Sequence, residues 1–204
     1  MQKAHIKKSL QSLAKVDDDI ALALGQCGYP EPRIRPAGFE TFLNTIVSQQ
    51  ISTKAAATIS LRVSNLMSHI DAKSLLALPD KTLREAGLSQ RKMEYAQGLA
   101  EAIVTGVFDP DALCDMSDDK AINAIMEIRG FGRWSAEIYL MFSLQREDIF
   151  PADDLILLTS LQKLKNLADR PTPKIARELT QAWSPWLSSG SLFLWHYHHH
   201  TAKK

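Results

Sequence analysis

Apolar residues recur at three- and four-residue intervals along almost the whole of this 204-residue chain, and that periodicity constrains the fold more than any other feature. It runs through residues 9–24, 39–51, 55–68, 92–104, 119–128, 133–144, 155–167 and 173–187. No stretch alternates apolar and polar residues as a half-buried strand would. Stop signals fall between the segments, at Gly25, Gly28, Pro30, Pro79, Gly87, Gly106, Pro110, Pro171 and Pro173. The chain is therefore expected to be all-α. Residues 80–104 and 117–144 each read as helix, short turn, helix. At 45% hydrophobic content, such a chain buries a core in one or two small domains.

Two glycines, Gly130 and Gly132, interrupt this pattern two residues apart. Glycine permits positive φ and a close approach of backbone to a ligand. The chain can turn there and start a new helix at about Arg133, whose first N–H groups and positive dipole end suit a phosphate. Taken alone, Gly-x-Gly between helices is a C-cap and a turn. The pair Asp153-Asp154 follows one helix later, before the apolar run Leu155–Leu158. A helix over 133–146 carries the chain about 20 Å, and the loop 147–152 can return it. One aspartate is expected to cap the next helix, a position that also holds a carboxylate in place. A phosphate cradle plus a single acid points to an enzyme that grips a nucleic-acid backbone and acts on one nucleotide.

Ile128-Arg-Gly-Phe-Gly-Arg-Trp-Ser-Ala136 resembles the helix–hairpin–helix of the DNA glycosylase superfamily named for its hairpin, Gly/Pro-rich loop and aspartate (HhH-GPD). Three more segments are similar to its 3-methyladenine glycosylase II branch. Phe42–Ser52 resembles the "IVxQQxS" helix, Leu88–Tyr95 the "LSxxKxxY" turn and helix, and Asp148–Leu155 the "DxxPxxDLxL" stretch with the catalytic acid. The resemblance covers residues 39–160 in order. It implies two helical subdomains flanking a cleft. Residues 39–150 would form one, with the helix–hairpin–helix at about 119–144. Residues 1–38 and 151–204 would form the other.

The resemblance implies a monofunctional base-excision glycosylase that flips alkylated purines, of the 3-methyladenine and 7-methylguanine type, out of double-stranded DNA and hydrolyses them. The acid is the aspartate directly before Leu155, Asp154; Asp153 becomes its neighbour. Gln50 would fill the hole left by the flipped base, with Gln49 in another polar role nearby. Gly130, Gly132 and Ser135 would offer amides to the DNA backbone. Carbonyls of Met126, Ile128 and Phe131 would hold Na+ or K+, with no required cofactor. An alkylated base is cationic and attracted to an aromatic face, for which Trp134 is the candidate. Bifunctional relatives carry a lysine nucleophile where this chain has Trp134, and the neighbouring Arg133 stays protonated. No strand cleavage is therefore expected. Leu187 stands where the family often has arginine after its Trp-Pro-aromatic motif. The alternative reading is a non-catalytic helix–hairpin–helix protein that binds damaged or distorted DNA.

Two cysteines, Cys27 and Cys114, cannot supply a four-cysteine iron–sulfur cluster. No run of 18 apolar residues predicts a membrane span, and the N-terminus lacks an apolar signal core. An intracellular monomer is expected, cytoplasmic in a bacterium or nuclear in a eukaryote. Net charge is only +1, but residues 161–204 hold seven Lys and Arg against two acids. That basic segment suits a DNA face or a solvated helix equally. His196–His200 reads as a mobile tail rather than a metal site.

Overall fold

The computed structural model describes residues 1–201. Among them it contains twelve α-helices and no strand. They are α1 (Lys3–Leu13), α2 (Asp18–Cys27), α3 (Phe39–Ser48), α4 (Thr53–Ser64), α5 (Ala72–Leu76), α6 (Asp80–Glu85), α7 (Gln90–Val104), α8 (Asp118–Met126), α9 (Arg133–Phe142), α10 (Leu155–Leu164), α11 (Pro173–Thr180) and α12 (Leu187–Thr201). The chain divides into two compact units. One is continuous, residues 35–136; the other is split, residues 1–34 with everything from 137 on. The second boundary falls inside α9, between Ala136 and Glu137, and not at residue 150.

The continuous unit is built around Phe42 of α3, which is 1% exposed. Its ring meets Phe108 and Phe131 edge-on, each with centroids 5.4 Å apart, a favoured aromatic geometry. Phe131 is the middle residue of the Gly-Phe-Gly turn, so the hairpin is anchored in this core. Val63, Leu75, Leu83, Met93, Leu99 and Ile125 complete it.

In the split unit, the single helix expected over 9–24 is two helices. Asp17 breaks the run, because its Oδ1 accepts the N–H groups of Asp19 and Ile20 at 3.2 Å and starts α2. The other bonds of that carboxylate explain why a charged residue stands there almost buried. Lys165 Nζ lies 2.7 Å from both oxygens, and the Trp183 indole N–H donates to Oδ2 at 2.6 Å. Trp183 is fully buried beside Gly190 of α12, where a Cβ would stand 2.6 Å from the indole ring.

The histidine run, expected to be a mobile tail, instead continues α12 as far as Thr201. His196 Nε2 bonds to the Cys27 carbonyl at 2.8 Å, and Tyr197 stacks on Phe193 with centroids 6.3 Å apart. Among the described residues, no cluster of His, Cys, Asp and Glu could hold a metal ion, and no helix is long and apolar enough to cross a membrane.

Candidate functional site

Three of the sequence motifs converge on one surface of the continuous unit. The hairpin closes through the Phe131 N–H, which donates to the Ile128 carbonyl at 3.1 Å. Gly130 sits at φ +99°, and a Cβ there would fall 2.5 Å from the Tyr95 ring. Two independent constraints thus require glycine: left-handed backbone and an aromatic floor. Gly132 is different. Its carbonyl starts α9 by accepting the Ala136 N–H at 3.1 Å, and a Cβ would meet nothing within 4 Å. Gly132, Arg133 and Trp134 are exposed, so the N-terminus of α9 faces outward. The amides of Gly132 and Ser135 belong to that first turn, where N–H groups have no intrahelical acceptor.

The "LSxxKxxY" segment supports this turn. Ser89 caps α7 by accepting the Lys92 N–H. Lys92 Nζ donates to the Val47 carbonyl at 2.6 Å, capping the last turn of α3. Partial burial pushes the Lys92 pKa down. Tyr95, three residues on, is the floor under Gly130. Its hydroxyl accepts from Arg91 Nε at 2.6 Å, and the guanidiniums of Arg91 and Arg129 each lie 5.5 Å from its ring centroid.

The "QQ" pair does two separate jobs. Gln49 donates from Nε2 to the Gly130 carbonyl at 2.8 Å, tying the end of α3 to the hairpin. Gln50 turns into the left-handed region at φ 59° and is exposed. Ser52 then caps α4 by accepting the Ala55 N–H at 3.3 Å. A left-handed non-glycine residue costs about 1–3 kcal/mol and persists only where its surroundings enforce it. Here Lys92, Gln49 and Ser52 enforce it on both sides. A pocket of about 330 Å³ opens between Gln49, Gln50, Arg91, Tyr95 and the two hairpin glycines. Its rim carries positive charge and amide donors, which suit a phosphodiester.

Asp154 lies in the split unit and is the N-cap of α10. Its Oδ1 accepts the N–H groups of Ile156 at 2.9 Å and Leu157 at 3.0 Å. The same oxygen accepts the Trp195 indole N–H at 3.3 Å. Asp153 is exposed and is not the cap. The loop before Asp154 is pinned to the start of α12. Asp148 accepts from the Ser184 hydroxyl at 2.6 Å, and the Ser188 hydroxyl donates to the Arg146 carbonyl while accepting the Ile149 N–H. Trp195, beside Asp154, and Arg33, beside Trp195, are not among the residues singled out in the sequence. Trp195, from the Leu192–Trp195 segment, contacts Asp154 directly, and the Arg33 guanidinium lies 5.8 Å from the Trp195 ring centroid. For Trp195 the available signal was its place in the apolar and aromatic run Leu192–Trp195. Arg33 had none. Trp134, the sequence candidate for the base pocket, is 41% exposed in the first turn of α9.

An all-helical chain that presents an anchored hairpin beside a cationic pocket, and that fixes one carboxylate at a helix N-terminus, has the parts of a protein acting on nucleic acid. Residues 43–185 match the HhH-GPD superfamily of base excision DNA repair proteins, and the chain belongs to that family. It is 29% identical over 161 residues to DNA-3-methyladenine glycosylase 1 of Schizosaccharomyces pombe, covering 77% of this chain and 71% of that protein. The crystal structure of a DNA-3-methyladenine glycosidase from Bacillus halodurans superposes with a TM-score of 0.85 at 28% identity, over 96% of this chain and 91% of the other. The Mag1 glycosylase of S. pombe in complex with abasic DNA shares the fold, at a TM-score of 0.83 and 24% identity, over 97% of each chain.

Proposed function

We propose that this chain is a monofunctional DNA glycosylase that hydrolyses alkylated purines from double-stranded DNA. The observation that carries the reading is Asp154, a carboxylate aimed by two α10 amides and the Trp195 indole N–H. Family membership and the names of the relatives support the substrate class.

A base within a duplex is out of reach, so the target nucleotide is rotated out at a cost of a few kcal/mol. Gln50, held exposed on its strained turn, enters the vacated space. The amides of Gly132 and Ser135 take a backbone phosphate, and Gly130 sets the turn that presents them. The Met126 carbonyl lies at the C-terminal end of α8, the negative end of its dipole, and the Ile128 and Phe131 carbonyls follow it in the turn. These hard oxygen donors fit Na+ or K+, which would bring positive charge close to the phosphate.

The C1′–N bond breaks with its electron pair leaving on the cationic base, which becomes neutral. Trp195, whose indole N–H reaches Asp154, offers an aromatic face to the cationic ring. Positive charge grows on the sugar, and Asp154 stabilises it electrostatically. Water then bonds to C1′ and gives up a proton to the surrounding solvent, which closes the balance on the abasic sugar. Trp134 occupies the position of the lysine nucleophile of bifunctional relatives, so no amine attacks C1′.

The test is a duplex carrying one N7-methylguanine. Expected are release of the free base and an abasic strand that stays intact until alkali is added, with no enzyme–DNA adduct after borohydride. A trapped adduct contradicts the monofunctional reading. Tight lesion binding without base release would instead make the chain a damage-binding protein.

A further inference from the structure

Arg33 is a cation beside the aromatic partner of Asp154. Its guanidinium lies 5.8 Å from the centroid of Trp195, the tryptophan whose N–H reaches the Asp154 carboxylate. Trp195 is 6% exposed, and the Phe142 ring packs near it with centroids 5.7 Å apart. Arg33 itself is exposed, on the segment between α2 and α3. Among the described residues no carboxylate lies within ion-pair distance of Arg33. The ring is therefore its one described partner, and an exposed arginine held only by a ring can leave it.

We propose that Arg33 is a specificity-determining residue that sorts bases by charge at Trp195. The inference rests on the glycosylase reading above. An aromatic face attracts one cation strongly, but two cations on the same face repel each other. An N7- or N3-alkylated purine brings a positive charge that the guanidinium repels. A neutral purine carries no such penalty, and a planar guanidinium stacks favourably on a neutral ring. Arg33 thus restrains the removal of cationic bases relative to neutral ones. Exposed cation–π contacts are of a size to change that balance roughly two- to five-fold.

Single-turnover base release separates the possibilities, with N7-methylguanine as the cationic substrate and hypoxanthine as the neutral one in the same duplex sequence. The quantity read is the ratio of the two rate constants for the parent, Arg33→Gln and Arg33→Lys. A phosphate contact by Arg33 would scale both substrates together, so the ratio isolates the charge effect. Arg33→Gln should raise the ratio of cationic to neutral release by roughly two- to five-fold. Arg33→Lys, which keeps a cation, should raise it less. An unchanged or lowered ratio in Arg33→Gln overturns the proposal, as does an equal shift in Arg33→Lys. Where hypoxanthine release is too slow to measure, a gain in N7-methylguanine release by Arg33→Gln that Arg33→Lys does not match supports it, and no gain or an equal gain in both overturns it. Release of neither base by the parent overturns the glycosylase reading itself.

Discussion

The two hairpin glycines look alike in the sequence and are held for different reasons. Gly130 is fixed by positive φ and by the Tyr95 ring 2.5 Å from where a Cβ would stand, whereas Gly132 has open space around it. Gly130→Ala combines a left-handed penalty of about 1–2 kcal/mol with overpacking of about 1–3 kcal/mol. Denaturant unfolding should show a loss of roughly 2–5 kcal/mol. Gly132→Ala should stay within about 1 kcal/mol of the parent yet bind DNA more weakly, because the added methyl meets only the approaching phosphate. Equal stability losses in the two variants would contradict this division. The sequence showed that a tight turn stands here but not which glycine was irreplaceable, since Tyr95 reaches Gly130 from 35 residues away. Lys92 was equally hidden: nothing local says that its ammonium caps α3 through Val47, 45 residues upstream.

Among the elements, α10 and α12 position the acid. Their placement depends on close packing around Trp183, which rests against Gly190. Gly190→Ala puts a methyl 2.6 Å from that ring in a core position. It should destabilise the protein by about 1–3 kcal/mol, despite the better helix propensity of alanine. A gain in melting temperature would show that Trp183 can shift without cost. The helical periodicity located most elements, including both helix–turn–helix segments. It failed at α1 and α2, where the break is made by Asp17 and carries no glycine or proline. It failed again at α12, where His196–His200 carries little apolar pattern and is held by contacts to Cys27 and Phe193. Both failures are tertiary contacts overriding local signals.

At the scale of the molecule, stability should carry a pH signature. Burial raises the Asp17 pKa, but bonds from Lys165, Trp183 and the Ile20 amide outweigh it and hold the carboxyl below its usual 3.8. Burial lowers the Lys165 pKa, but Asp17 and Asp19 outweigh it and hold the ammonium above its usual 10.5. The Asp17 contribution is present above pH 3.8 and lost as pH falls through the lower folded value. The Lys165 contribution is present below pH 10.5 and lost as pH rises through the higher one. Asp17→Asn removes one partner of a buried pair and should cost about 3 kcal/mol at pH 7. The gap between variant and parent should narrow below pH 4 as the parent carboxyl protonates. A gap that persists unchanged at pH 2–3 would mean that packing, and not charge, dominates there. The ordered motifs made the family legible in the sequence, and the aspartate before Leu155 is the helix cap that was expected of one of the pair. The partners of the acid were not legible, because Trp195 lies 41 residues from Asp154 and Arg33 lies on the far side of the chain.

The central claim is that Asp154 supports C1′–N cleavage after the hairpin has bound DNA. Its most direct test compares the parent with Asp154→Asn on a duplex carrying N7-methylguanine, under single-turnover conditions, with DNA affinity measured alongside. The asparagine keeps an oxygen for the α10 amides and the Trp195 N–H, so the fold and the cap are retained while the charge is lost. Base release should fall by roughly 10²-fold or more, with the dissociation constant little changed. Release at the parent rate would place the chemistry elsewhere and contradict the account.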